Sequence, residues 1–205
     1  PADAGALATL EAMLVPLGFA VDRVTAREEG TPDIDNLYAR LGSSGPHLMF
    51  AGHTDVVPVG DEAAWKHPPF AAEIVDGVMY GRGAVDMKGG VACMLMAIEI
   101  LKELEVPLRG DVVWGTVVDE EIGGMGALAM ADRGYRADVG IMTEPTANTI
   151  APICHGILWA RVIIDGVGGH AELKPNSWDT TGPVDAIWLC RQMLDGFDVL
   201  NRRWQ

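Results

Sequence analysis

The sequence predicts an α/β fold: a mixed, twisted sheet with helices on both faces, followed by a small α+β unit. Three observations carry that reading. Apolar and β-branched runs alternate with segments of helical period. Several of those runs end in an acid or a histidine, at 47–55, 111–121 and 138–144. After Pro152 the pattern changes to one long alternating run, a glycine-rich loop and a helix. The boundary is expected near 150–154, dividing the chain into 1–152 and 153–205.

In the first part, Leu7, Leu10, Met13, Leu14 and Leu17 recur at helical spacing, and Gly18 is placed to end the helix. Residues 19–24 and 36–41 alternate as strands, with Thr31-Pro32-Asp33 turning between them. Residues 47–51 form a short apolar strand that runs into Gly52-His53-Thr54-Asp55. In extended backbone His53 and Asp55 face the same side. A histidine beside a carboxylate suits a metal ligand held by a partner, although the pair alone reads more readily as a solvated loop. Residues 60–70 form a polar surface loop with His67 exposed on it, and 72–80 form a hairpin turning at Asp76-Gly77.

Gly81-Arg82-Gly83-Ala84-Val85-Asp86-Met87-Lys88-Gly89-Gly90 then opens a long helix. Asp86 stands where an N-cap would stand, and the glycines allow a close backbone approach. By itself this stretch reads equally well as a capped helix after a tight turn. Met87, Val91, Met94, Leu95, Ile98 and Leu101 make one apolar stripe, with Glu99, Lys102 and Glu103 off it. Residues 111–118 form a β-branched strand leading to Asp119-Glu120-Glu121-Ile122-Gly123-Gly124, and a helix follows over 125–132. An acidic pair directly after a buried strand is a poor place for idle charge. Residues 138–143 form a further strand, ending in Glu144-Pro145-Thr146.

Beyond the boundary, 155–165 reads as a long strand with Leu158, Ala160, Val162 and Ile164 on one face. Gly166-Val167-Gly168-Gly169-His170 is a glycine-rich loop, 172–181 is polar, and a helix runs from Pro183 to Leu194.

Composition narrows the function classes. Hydrophobic residues are 49% and charged residues 21%, enough to fill a core. A net charge of -14 argues against nucleic acid or an anionic membrane as partner. No apolar run is as long as a membrane span, and no signal peptide is read at the N-terminus. Cys93, Cys154 and Cys190 are odd in number, widely spaced and without a C-x-x-C. They fit reduced, small buried side chains in a cytoplasmic protein.

His53, Asp55, Glu120, Glu121 and Glu144 all follow strand ends, and Asp86 opens a helix nearby. Sheets of this class place ligand sites beyond the carboxyl ends of their strands. Imidazole plus carboxylates suits Zn2+, with Co2+ or Mn2+ as substitutes. Two ions about 3.5–4 Å apart would share a bridging carboxylate. Without a cation the same acids would repel, and some would take up protons.

Four motifs occur in order: Gly52-His53-Thr54-Asp55-Val56-Val57-Pro58, the stretch Gly81 to Gly90, Asp119-Glu120-Glu121-Ile122-Gly123-Gly124, and Thr143-Glu144-Pro145-Thr146. Together they resemble the co-catalytic zinc metallopeptidase family of acetylornithine deacetylase, succinyl-diaminopimelate desuccinylase, aminoacylase and the glutamate carboxypeptidases. The resemblance covers about 47–195. It implies that 1–152 is the N-terminal part of a catalytic domain and 153–205 a truncated lid and dimerisation domain. It implies His53 and Glu144 as ligands of a first metal, Asp86 as the bridge, and Glu121 as a ligand of a second. Asp55 would orient His53. Glu120 would be the general base, taking a proton from water and returning it to the leaving amine. His170 would reach a neighbouring subunit's site in a homodimer and stabilise an oxyanion; an exposed loop histidine is its other reading. A cis peptide at Asp86–Met87 is expected.

The implied reaction is hydrolysis of an amide bond in an N-acyl amino acid or small peptide, of the deacetylase, desuccinylase or carboxypeptidase type. The family has a further histidine on the second metal, and none of His47, His53, His67, His155 and His170 lies in such a position. The chain is therefore expected to be part of a longer enzyme. Alone it should be inactive, hold one zinc tightly and self-associate. A non-catalytic metal-binding or dimerisation module is the alternative, disfavoured by the presence of Glu120. An aminopeptidase is disfavoured by the lid segment.

Overall fold

The computed structural model describes residues 4–154, 156–170, 172 and 182–204. It divides into two compact units, Pro1–Ala151 and Pro152–Gln205.

In the first unit, α1 (Ala6–Leu14) precedes β1 (Ala20–Ala26), β2 (Ile34–Leu41) and β3 (His47–His53). The hairpin β4 (Glu73–Val75) and β5 (Val78–Tyr80) follows, then α2 (Gly89–Glu103), β6 (Asp111–Val117), α3 (Met125–Asp132) and β7 (Val139–Met142). The main sheet has the order β1-β2-β6-β3-β7. β1, β2 and β6 pair antiparallel, while β3 runs parallel to β6 and β7. This is the predicted mixed sheet.

Alternation along β2 puts helices on both faces. Leu37 and Ala39 join a buried cluster with Leu7, Leu10 and Leu14 of α1 and Val91, Met94, Leu95 and Ile98 of α2. Asn36 and Tyr38 face the other way, towards Gly126 of α3 and the ring of Tyr135, which stacks on Tyr38 at 3.7 Å. Trp114 of β6 is fully buried in the first cluster. Each such apolar side chain contributes about 1.5–3 kcal/mol, so α2 is fixed on the sheet by its stripe. Cys93 lies off that stripe and is exposed, Cys154 is exposed and Cys190 partly so, against the expectation of buried thiols. His67 is not free in solvent either: it stacks on Tyr80 at 4.2 Å and lies 2.8 Å from Glu73.

The entrance to α2 departs from the capped-helix reading. Ala84–Lys88 form a wide kinked turn, and Lys88 takes the N-cap position with no side-chain bond. The Asp86 carboxylate is thereby left for other partners. The Asp86–Met87 peptide is cis, as expected. Strand β7 is exposed along its length, because among the described residues only β3 pairs with it.

Among the described residues, the second unit contains α4 (Ala186–Trp204) and one antiparallel bridge, between Val167 and Val184. The expected strand at 155–165 is a correction: 156–165 carry no strand, and His155 lies outside the described residues. A strand persists when its N–H and C=O groups find a neighbour, and in this unit only Val167 and Val184 pair among the described residues. Helix α4 runs past Leu194 and through Gly196 to Trp204. Of the polar stretch 172–181, only Glu172 is described. No helix among the described residues is long and apolar enough to cross a membrane.

Candidate metal centre

Four loops meet beyond the carboxyl ends of β3, β6 and β7. After His53, the Thr54 N–H donates to the Val117 carbonyl at 3.1 Å, which keeps the exit of β3 against β6. The exit of β6 is held by the fully buried Asn36. Its Nδ2 donates to the carbonyls of Val24 (2.9 Å) and Ile34 (3.2 Å), and its Oδ1 accepts from the Val118 N–H at 2.9 Å. Asp119 is buried and takes a left-handed φ of 71°. Its carboxylate accepts from the Met125 N–H at the start of α3, at 3.3 Å. This tight turn delivers Glu120 and Glu121 to Asp55, whose Oδ1 and Oδ2 accept their N–H groups at 3.3 and 3.2 Å. Gly90 lets the start of α2 approach the end of β7, since a Cβ there would overlap the hydroxyl and carbonyl of Thr143. That approach brings Asp86 and Glu144 together.

His53 is the buried centre, 1% exposed. Its Nδ1 lies 3.1 Å from the Asp55 carbonyl and 3.6 Å from Asp55 Oδ1. Donation from Nδ1–H to that carbonyl makes Nε2 the nitrogen that would present its lone pair to a cation once its own proton is displaced. Nε2 lies 3.3 Å from Asp86 Oδ1, 3.7 Å from Glu144 Oε1 and 3.8 Å from Glu120 Oε2. Among the described residues, the donor atoms of His53, Asp86 and Glu144 converge within 4.8 Å of one another. Imidazole plus two carboxylates is a donor set that fits zinc.

The electrostatics are those of a cation site. Burial pushes the His53 pKa down, but Asp55, Glu120 and Glu144 outweigh it and raise it to about 9. Burial also pushes Asp55 up, and bonding to His53 and to the two backbone N–H groups holds it below the ordinary range. Glu144 is raised by burial and by Asp86, against the pull of His53. Glu121 is raised by burial and then by Asp86.

The structure thus brings His53, Asp55, Asp86, Glu120 and Glu144 together. Glu121 is joined through its N–H and its charge and stands outside the converging set. His170 belongs to the second unit, where its Nδ1 accepts from the Glu172 N–H at 3.4 Å and lies 3.8 Å from the Glu172 carboxylate. Sequence reasoning passed over Asn36 and Asp119, which shape the turn, and Lys88. Burial lowers the Lys88 pKa against the pull of Asp55 and Glu121. The signal for Lys88 was its place two residues after Asp86. Nothing in the local pattern around Asn36 announces a buried amide.

A family model described as peptidase family M20/M25/M40 matches residues 49–185. The chain belongs to this family. The matched span of the M20/M25/M40 chain holds every acid and histidine of the converging set, and His170 as well. Among solved structures, it is similar to human carnosine dipeptidase 1, with 28% identity and a TM-score of 0.59 over 67% of this chain and 32% of that one. It is similar to an M20 family metallo-carboxypeptidase from Sulfolobus solfataricus, with 28% identity and a TM-score of 0.56 over 69% and 31%. A di-peptidase from Saccharomyces cerevisiae shares the fold, with 21% identity and a TM-score of 0.57 over 66% and 32%. The M20/M25/M40 chain spans about a third of the length of these structures.

Proposed function

We propose that the protein acts as a zinc-dependent hydrolase of amide bonds in an N-acyl amino acid or small peptide. The observation that carries this reading is the convergence of His53, Asp86 and Glu144, with Glu120 Oε2 3.8 Å from His53 Nε2. Membership of a peptidase family supports it, as do a dipeptidase and a carboxypeptidase at 28% identity.

His53, Asp86 and Glu144 would hold a first ion, and Asp86 with Glu121 a second; Co2+ or Mn2+ are substitutes with the same ligand taste. Zinc, when bound, polarises a carbonyl and makes water acidic. Glu120 takes a proton from the attacking water on its carboxylate and gives it to the leaving amine nitrogen. Asp55 sets the His53 tautomer and, through the N–H groups of Glu120 and Glu121, the position of the base. His170 would donate to the developing oxyanion in a second copy's site, which makes a homodimer through the second unit part of the reading. Exposed Trp188 and Phe197 on α4 offer an apolar surface for that contact. A cytoplasmic location is part of this proposal, supported by three widely spaced cysteines without a C-x-x-C.

The full-length enzyme, loaded with zinc and assayed with N-acetyl amino acids, N-succinyl amino acids and dipeptides, tests the reading. Zinc-dependent turnover is expected of it, and little or none of residues 1–205 alone, which offer no further histidine for the second ion. Glu120→Gln should keep its zinc while kcat falls on the order of 10²–10⁴-fold. Zinc uptake with no turnover on any substrate would favour a non-catalytic metal-binding module. Loss of zinc from Glu120→Gln would move Glu120 into the ligand set.

A further inference from the structure

A polar network lies at the opposite end of the sheet from the metal centre, within the first unit. β3, β6 and β7 run parallel, so all three start at this end and deliver their loops to the site at the other. Asp111, the first residue of β6, is buried. Its carboxylate accepts from the Ser44 N–H at 2.9 Å and from Arg40 of β2, whose Nε lies at 2.6 Å. The left-handed Gly42 admits that carboxylate, since a Cβ there would overlap Asp111 Oδ1. Arg40 also donates to His47 Nε2 at 3.1 Å, for a guanidinium has no acceptor. In the neutral ring the proton is then on Nδ1, which faces Asp138 Oδ2 at 3.7 Å. Asp138 closes the network. Its carboxylate accepts from the His47 backbone N–H at 2.7 Å, and its own N–H donates to the His47 carbonyl at 3.0 Å. From the position just before β7, it grips both backbone groups of the first residue of β3.

We propose that Asp138 is a positioning residue for Glu144, fixing the register of β7 against β3, an inference that rests on the reading of Glu144 as a metal ligand. Glu144 stands six residues after Asp138, and His53 six residues after His47. Equal lengths of parallel strand carry the two side chains to the same level. The register fixed at the start of β7 is therefore the register that sets Glu144 Oε1 3.7 Å from His53 Nε2. Val139, Gly140, Ile141 and Met142 are all exposed, so no buried face selects one alignment of β7 over another. The evenly spaced bonds of a parallel ladder do not select one either. A slip of one residue would turn the side chains of β7 to the opposite face and carry Glu144 away from the histidine. The Asp138 carboxylate distinguishes the alignments, because it meets the His47 N–H in the observed one. Arg40 and Asp111 hold the His47 ring to β2 and β6, which gives the grip a firm base. Asp138 acts along β7 over roughly 20 Å, six residues of strand.

The test is a cycle of variants read by zinc affinity, measured by competition with a chelator. Asp138→Ala should weaken zinc binding by about three- to tenfold, the scale of one lost hydrogen bond. Affinity falls with the fraction of molecules that hold Glu144 in place. Asp138→Asn keeps an oxygen for the His47 N–H and should restore most of the parent affinity. Glu144→Ala removes the group being positioned, so adding Asp138→Ala to it should cost nothing further. Hydrogen exchange at the backbone amides of 139–142 should quicken in Asp138→Ala while that of β6 stays as in the parent. Parent-like zinc affinity in Asp138→Ala would overturn the proposal. So would a loss that Asp138→Asn does not reverse, or one that is equally large in the Glu144→Ala background, since either marks general damage to the fold. Parent-like affinity in Glu144→Ala would instead overturn the metal-centre reading of Glu144. Faster exchange in β7 of Asp138→Ala would then still establish the register grip.

Discussion

His53 faces two demands that pull its proton in opposite directions. Burial disfavours the imidazolium, yet Asp55, Glu120 and Glu144 outweigh burial and raise the pKa to about 9. In the metal-free protein His53 thus carries a proton at neutral pH, and a cation must displace it. Zinc affinity should rise by about tenfold per pH unit from pH 7 to about 9, with a proton released on binding. Titration calorimetry in buffers of different ionisation enthalpy measures both; an affinity that is flat across that window would contradict the assignment. Linkage gives a matching sign for stability. The folded pKa is raised, so the contribution of protonated His53 is full below pH 6.5 and fades as pH rises through about 9. Asp55 acts on the same ring from the other side. Asp55→Ala removes the carboxylate 3.6 Å from Nδ1 and the acceptor for two backbone N–H groups. It should weaken zinc binding by about 10–100-fold, read by competition with a chelator.

The loops that carry the site are only as ordered as the strands that lead to them. Asn36 ties β1, β2 and the residue after β6 with three hydrogen bonds, one residue before the Asp119 turn. Asn36→Leu would leave the Val118 N–H and the carbonyls of Val24 and Ile34 without that partner. The expected loss of stability is on the order of 2–4 kcal/mol, measured by urea unfolding, with weaker zinc binding because Glu120 and Glu121 follow directly. A stability within 0.5 kcal/mol of the parent, roughly the scatter of surface substitutions, would show that the amide is not the tie. Element by element, the sequence was legible where a face is buried. The stripe on α2 and the helix Met125–Asp132 follow from apolar period. The strand expected at 155–165 was not, because alternation records a face to bury and says nothing about a neighbour to pair with.

For the molecule as a whole, the proposal makes assembly a condition of activity. Helix α4 leaves Trp188, Phe197 and Trp204 exposed, 47%, 51% and 84%, and a second copy is the proposed cover. The protein should run as a dimer in light scattering, and the double variant Trp188→Asp/Phe197→Asp as a monomer. If His170 serves a second copy's site, that monomer should keep its zinc and lose most of its turnover. A monomeric variant with full turnover would remove His170 from the mechanism.

The sequence by itself determined the class of fold, the order of the elements in the first unit, and the four acid- or histidine-bearing loops that mark its family. Only the tertiary structure decided that the Asp86 carboxylate faces His53 rather than capping α2, and that Glu144 and Glu120 come within 4 Å of the same nitrogen. It also decided that Glu121 stands outside that set, that Cys93 is exposed, and that Asn36 is buried. The physical reason is range. Periodicity and turn chemistry act between residues a few positions apart, so they are written locally. Convergence of residues 53, 86, 120 and 144 depends on strand order, on register, and on the close approach that Gly90 permits between α2 and β7. No local pattern in the chain encodes those distances.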